Sequence, residues 1–453
     1  MSRQTRAGRR APALAILAIA ATLATACSGP GSSTATESAA PAALRSAPTC
    51  GTAPVTMSGY FETGFPMSKA LTTEFTKQFP NVTWNIREDQ FAVITQNAPR
   101  VLADDPPDLM RLPQMSELVK NGLLKNLDAY AQWFGWDKWP PGQLAQLRTG
   151  PGGRPRGAGS LYAMALNFSM TGVFYNKQLA TRIGLTAPPT TLAALDDALA
   201  KAKAAGITPI AQFNGGATGG LAFPLQDLMA AYGPTGPIND WIFQKPGATI
   251  DTPSNLQAAQ HLDRWIKAGY FAPDVNAVDY AQMMSRFTGG QGLFSFNGDW
   301  ESANLDKQLA GTVGFFPMPP SQPGAKPAAM SAPLTYGIST KAPHADCAAF
   351  FLNWVSTNPI ARGIAVNTGG SHPMGPADAP MPAVQAGTVT AGTLDAAAQI
   401  DKDGTAMDFI ANATGAIYAK SWTPQLQKLV AGDQTPDGLL KAVQSDYRNQ
   451  VGG

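Results

Sequence analysis

The chain has 453 residues, with 33 Lys and Arg against 31 Asp and Glu and a formal net charge of +2. Charged residues are only 14% and the basic ones are dispersed, which argues against the clustered positive surface of a nucleic-acid binder. Three cysteines and three histidines offer no zinc or iron–sulfur spacing and few options for a His-based triad, so neither metal nor cofactor is expected.

Arg3, Arg6, Arg9 and Arg10 precede an apolar run from Ala11 to Ala26, the pattern of a secretory signal peptide over residues 1–26. That run is short for a bilayer span of about 20 residues, and no later segment approaches one. It ends in Leu23-Ala24-Thr25-Ala26-Cys27. Small residues before a cysteine resemble the lipobox of bacterial lipoproteins, which implies acylation of Cys27 and a lipid anchor on the outer face of the cell membrane. An ordinary signal peptide with a nearby free cysteine is the alternative, and the sequence leaves the export route open between general secretion and twin-arginine transport. Residues 27–50 consist mainly of Ser, Gly, Thr, Ala and Pro. They carry too little apolar surface to offset chain entropy and read as a disordered tether.

The remaining body of roughly 400 residues exceeds what one core organises, so two lobes are expected. Leu71, Phe75 and Phe79 recur at helical spacing, and Val82, Trp84 and Ile86 then alternate as a half-buried strand does. Leu192, Leu195, Leu199 and Ala202 mark a helix capped by Thr190 or Thr191 and stopped by Gly206. Leu293–Phe296 and Val313–Phe316 read as buried strands, and His344–Thr357 as a helix. Thr435-Pro436-Asp437 opens a last helix with Leu439, Leu440, Val443 and Tyr447 as its stripe. Strand–helix alternation implies an α/β architecture.

Read in order, these segments resemble the extracellular solute-binding proteins of ABC sugar importers, the maltose-binding-protein-like group. The motifs are Phe79-Pro80-Asn81-Val82, Asp105-Pro106-Pro107-Asp108-Leu109, Asn121-Gly122-Leu123-Leu124, Leu161-Tyr162-Ala163-Met164 with Phe174-Tyr175-Asn176-Lys177, Asn297-Gly298-Asp299-Trp300, a helix in 341–359 and a Gly-rich turn in 367–373. The resemblance implies a two-lobed periplasmic-binding-protein-like α/β fold with hinge strands and a ligand cleft between the lobes. It implies lobe 1 from 51–166 plus 333–371 and lobe 2 from 169–330 plus 376–453, with crossings near 165–169, 329–334 and 370–376. The implied function is capture of a mono- or short oligosaccharide for an ABC permease, by a monomer that is not an enzyme.

A pyranose presents an apolar C–H face and a rim of hydroxyls, so its site needs aromatic rings beside hydrogen-bonding groups. Asp299 and Trp300 supply both at one strand end, the alternative being a core Trp capped by a structural Asp. The resemblance puts Asn167 and Ser169 on the hinge facing the cleft, with Ser169 where some relatives carry an acid. Tyr60 and Glu62, with Phe61 between them, are ligand contacts or an exposed loop. Asp108 accepts hydroxyls or caps a segment; Phe223 and Trp422 line the cleft or pack the core; His372 binds hydroxyls or is structural. Trp133, Trp136, Trp139 and Trp354 are assigned to packing, His261 and His344 to the solvated surface. With Cys27 acylated, Cys50 and Cys347 remain, placed by the resemblance in one lobe. They form a disulfide, or Cys347 is a buried free thiol.

No Gly-x-Ser-x-Gly elbow, His-Glu-x-x-His motif, P-loop or dinucleotide glycine fingerprint is present. A secreted glycosidase would need two carboxylates across a sugar site, which abundant acids leave open. A polyamine or peptide binder is the other alternative; a polyamine would need several acids ringed by aromatics.

Overall fold

The computed structural model describes residues 43–452. The expected signal peptide, Cys27 and most of the expected tether lie outside them. Ten strands form among the described residues: β1 (Val55–Glu62), β2 (Val82–Asp89), β3 (Leu109–Arg111), β4 (Arg148–Thr149), β5 (Ser160–Leu161), β6 (Met164–Asn176), β7 (Phe294–Gly298), β8 (Val313–Phe316), β9 (Ala329–Gly337) and β10 (Ala406–Met407). Eight join one sheet of order β2-β1-β3-β9-β6-β7, with β8 also on β6 and β10 on β9, while β4 and β5 form a separate hairpin. The local signals act as their chemistry demands. Thr191 caps helix Leu192–Ala204 by accepting from Ala194 N–H, and Thr435 caps Pro436–Val451 by accepting from Gly438 N–H.

The sheet serves two separate hydrophobic cores. One gathers Cys50 to Phe168 and Leu334 to Met374; the other gathers Val173 to Ala328 and Met407 to Tyr447. β6 belongs to both. Met164–Met170 pair with β9, and Thr171–Asn176 pair with β7 or β8. A register shift between Ala165 and Phe168 bends the strand just before the change of partner. Phe168 also bridges His372, bringing a third segment to the same place. The lobes are thus joined through a hydrogen-bonded sheet rather than through loops.

Three expectations need correction. The tether is shorter than 27–50: Leu44 packs on the first core and Pro48 is buried, where a bond between Cys50 and Cys347 ties the segment to helix Ala345–Thr357 with 4.3 Å between the Cα atoms. His261 is not on the surface. It is 3% exposed, with Nδ1 2.7 Å from Tyr232 Oη and Nε2 2.9 Å from Asp196 Oδ1, because helix Pro253–Lys267 turns it onto its buried side. Trp133 is 47% exposed and packs little, unlike the buried Trp136, Trp139 and Trp354.

Candidate functional site

Strand direction locates the site. β1 and β3 are parallel, β3 and β6 are both antiparallel to β9, and β7 is antiparallel to β6. β1 and β3 therefore run toward the junction from one lobe while β7 runs toward it from the other. Their carboxyl ends face each other, the crevice in which open α/β sheets bind ligands. Glu62 ends β1, Arg111 ends β3, and Gly298-Asp299-Trp300 follows from β7.

At the second lobe's edge, Trp300 is half-buried. It folds back over Gly298, where a Cβ would meet the indole ring at 1.9 Å, so only glycine fits. Its Nε1 donates to Tyr280 Oη at 2.7 Å, and Tyr280 in turn donates to Glu301 at 2.6 Å. The indole lies 5.9 Å from Phe223, which stacks on Phe409 at 5.5 Å, and Phe409 meets Tyr418 edge-on at 5.2 Å. Tyr418 opens a turn of π-helix, Tyr418–Trp422, a distortion frequent at functional sites. Beneath Phe223, one turn along helix Ala222–Tyr232, the fully buried Asp227 accepts from Thr171 Oγ1 at 2.9 Å. Burial pushes its carboxyl up to about 7.

The hinge gathers the polar groups. Ser371 Oγ donates to Asp299 Oδ1 at 2.7 Å and lies 3.3 Å from Ser169 Oγ. Gly370 has φ +74°, and a Cβ there would lie 2.5 Å from the Asp299 carbonyl oxygen. Asn167 Nδ2 contacts Met67 Sδ at 3.5 Å. Asp299 Oδ2 and Asn167 Oδ1 are buried with no hydrogen-bond partner among the described residues. Burial holds the Asp299 carboxyl well above the ordinary carboxylate range despite the bond from Ser371. The first lobe contributes an ion pair between Arg111 Nε and Glu62 Oε2 at 3.0 Å, both mostly buried, with the guanidinium over the Phe91 ring. Burial raises the Glu62 carboxyl, and Arg111 opposes that rise.

Asn167, Ser169 and Asp299 thus converge on one segment, and Trp300 and Phe223 share one ring cluster. Others are engaged elsewhere. Asp108 accepts from the backbone N–H of Ser58 and of His344, the capping alternative. Tyr60 is buried, donates to Asp89 at 2.7 Å and lies under the Arg87 guanidinium, so it is not on an exposed loop. Trp422 is fully buried against Trp241, the packing alternative. His372 holds the hinge through its carbonyl, with Nδ1 3.0 Å from Pro373 O, and burial lowers its ring below the usual histidine value. Sequence reasoning did not point to Arg111, Tyr280, Ser371, Phe409 or Tyr418. Arg111 alone had a signal, as a lone charge closing an apolar strand.

Residues 62–362 match the family described as bacterial extracellular solute-binding protein. The chain belongs to that family. Among solved structures, this solute-binding protein is similar to a chitin oligosaccharide binding protein, with a TM-score of 0.74 and 20% identity over 88% of this chain and 100% of that one. It is also similar to the GacH receptor of Streptomyces glaucescens, solved unliganded and with acarbose, with a TM-score of 0.68 and 17% identity over 88% and 99%. A third is the solute-binding protein RafE in complex with raffinose, with a TM-score of 0.67 and 19% identity over 87% and 99%. At these identities the likeness is one of fold. Among the described residues no helix of the solute-binding protein is long and apolar enough to cross a membrane.

Proposed function

We propose that this protein captures a mono- or short oligosaccharide in the crevice between its lobes and delivers it to an ABC permease without chemical change. The observation that carries the reading is the half-buried Trp300, with its neighbouring rings, next to the unpartnered oxygens of Asp299 and Asn167. A ring face and free hydrogen-bonding atoms are the pair of surfaces a sugar requires. With the lobes closed about crossings near 165–169, 329–334 and 370–376, Glu62 and Arg111 meet the ligand from the other side. A polyamine is disfavoured because Glu62 is already paired with Arg111 and burial raises the Asp299 carboxyl well above its ordinary value, which disfavours its charged form. An anchor at Cys27 would keep the protein beside its permease as a monomer. The test is a thermal-shift screen of the protein lacking residues 1–26 against sugars and polyamines. A ligand at a hundred times its dissociation constant stabilises the fold by about 2.7 kcal/mol. A shift with a sugar and none with polyamines is expected; a polyamine shift alone, or release of shortened sugars, overturns the reading.

A further inference from the structure

The hairpin β4–β5 is rooted in the first lobe. Leu147 and Leu161 lie in its core, and Asp128 accepts from Leu161 N–H at 2.9 Å. Its tip, residues 150–157, does not stay there. Arg156 N–H donates to Phe243 O at 2.8 Å, and Gly157 packs so close to the Phe243 ring that a Cβ would meet it at 2.9 Å. The Arg156 guanidinium lies over the same ring, donates to Asn412 O at 3.0 Å and pairs with Asp408 at 2.9 Å. Phe243 belongs to the second core. The pair is sealed, with side-chain exposures of 5% for Arg156 and none for Asp408. Arg154 adds a bond to Val451 O. Asp408 is held in turn: its Oδ1 accepts from Phe409 N–H and from Asn412 Nδ2, each at 2.7 Å. Arg156 also donates to Gln146 O at 3.2 Å, within the hairpin's own base.

We propose that this tip is a latch. Arg156 and Asp408 come from opposite lobes and bond only when the lobes close, raising the closed population with and without ligand. Arg156 is then a positioning residue that governs retention without touching the ligand. The reasoning is electrostatic. Apart from Arg156 Nε, which has no partner among the described residues, the polar atoms of the sealed pair are bonded. Such a pair is favourable only in its assembled geometry, and opening leaves each partner to rehydrate alone. A protein only partly in its binding-competent state loses apparent affinity in proportion. Phe409, next to Asp408, belongs to the ring cluster, so the latch closes at the edge of the site.

The inference rests on the hinge-closing reading above. It is tested with Arg156→Met and Asp408→Asn by small-angle X-ray scattering of the ligand-free protein, together with ligand-free melting and the dissociation rate of any sugar found in the screen. The latch requires a larger radius of gyration in both variants and, for a bound sugar, release faster by about tenfold or more with little change in association. Scattering curves that superimpose on wild type refute it, whatever happens to melting; a hairpin that simply belongs to the second lobe would give that result with a lowered melting temperature. Should either variant fail to fold, Arg156→Lys, which keeps the charge and loses the forked contacts, is read the same way. If wild type binds no sugar in the screen, the sugar reading fails while the scattering still decides the latch.

Discussion

Replacing Asp227 by Asn should make the protein more stable at alkaline pH and leave it nearly unchanged in acid. The carboxyl is fully buried, with one bond from Thr171 Oγ1 and a second oxygen without a partner among the described residues. Desolvation raises it from the ordinary 3.8 to about 7. An acid raised in this way binds its proton more tightly in the folded chain than in the unfolded one. Stability must therefore fall as pH rises above 3.8, and stop falling once pH passes about 7. At 1.36 kcal/mol per pH unit the penalty above neutrality approaches roughly 4 kcal/mol. That is a large part of the 5–15 kcal/mol by which domains are usually stable. Asparagine keeps an acceptor for Thr171 and cannot ionise. Urea unfolding of both proteins at intervals from pH 4 to pH 9 gives the difference directly. Other buried acids, Glu62 and Asp299 among them, titrate equally in both chains and cancel. A difference that does not change with pH would show that Asp227 reaches water or a partner, and the reasoning would fail.

Two further predictions follow from the site and from the proposed lipid anchor. Trp300→Ala should weaken sugar binding by about ten- to a hundredfold in titration calorimetry, while costing less stability than the about 3–5 kcal/mol of a fully buried aromatic; unchanged affinity would return Trp300 to a packing role. Cys27→Ala should abolish lipid incorporation and leave the protein unprocessed or shed, as judged by membrane fractionation, and a variant processed and retained like wild type would remove the proposed anchor.

Where a local rule decides an outcome, the sequence was readable. Thr435-Pro436-Asp437 names its helix because a side-chain cap, a proline lacking N–H and an acid all fit one place, the first turn. Val313–Phe316 names a strand because a short apolar run between polar turns has few other uses. The ordered motifs identified the family, and with it the two lobes, before any contact was known. Side-chain function was harder to read. Asp299 was readable as a ligand contact, but its burial at the hinge was not: Ser371, 72 positions on, holds one of its oxygens and leaves the other unpartnered among the described residues. His261 was expected on the surface, but a histidine paired with Tyr232 and Asp196 is buried for polar reasons that apolar spacing does not reveal. Phe409 and Tyr418 meet Phe223 only after the chain has crossed between lobes, so no spacing announces them.

The way β6 and β9 are shared constrains how the molecule is made. The first core lacks part of its sheet and a covalently tied helix until residues 334–374 arrive, and the second lacks its closing helix until 436–451. A chain growing from its amino terminus therefore carries two half-built cores for most of its length, and neither can settle early. Such long-range pairing folds slowly, since distant segments must meet before their contacts stabilise anything. If residues 1–26 serve as the proposed export leader, that delay would keep the chain threadable until nearly all of it is available to fold at once.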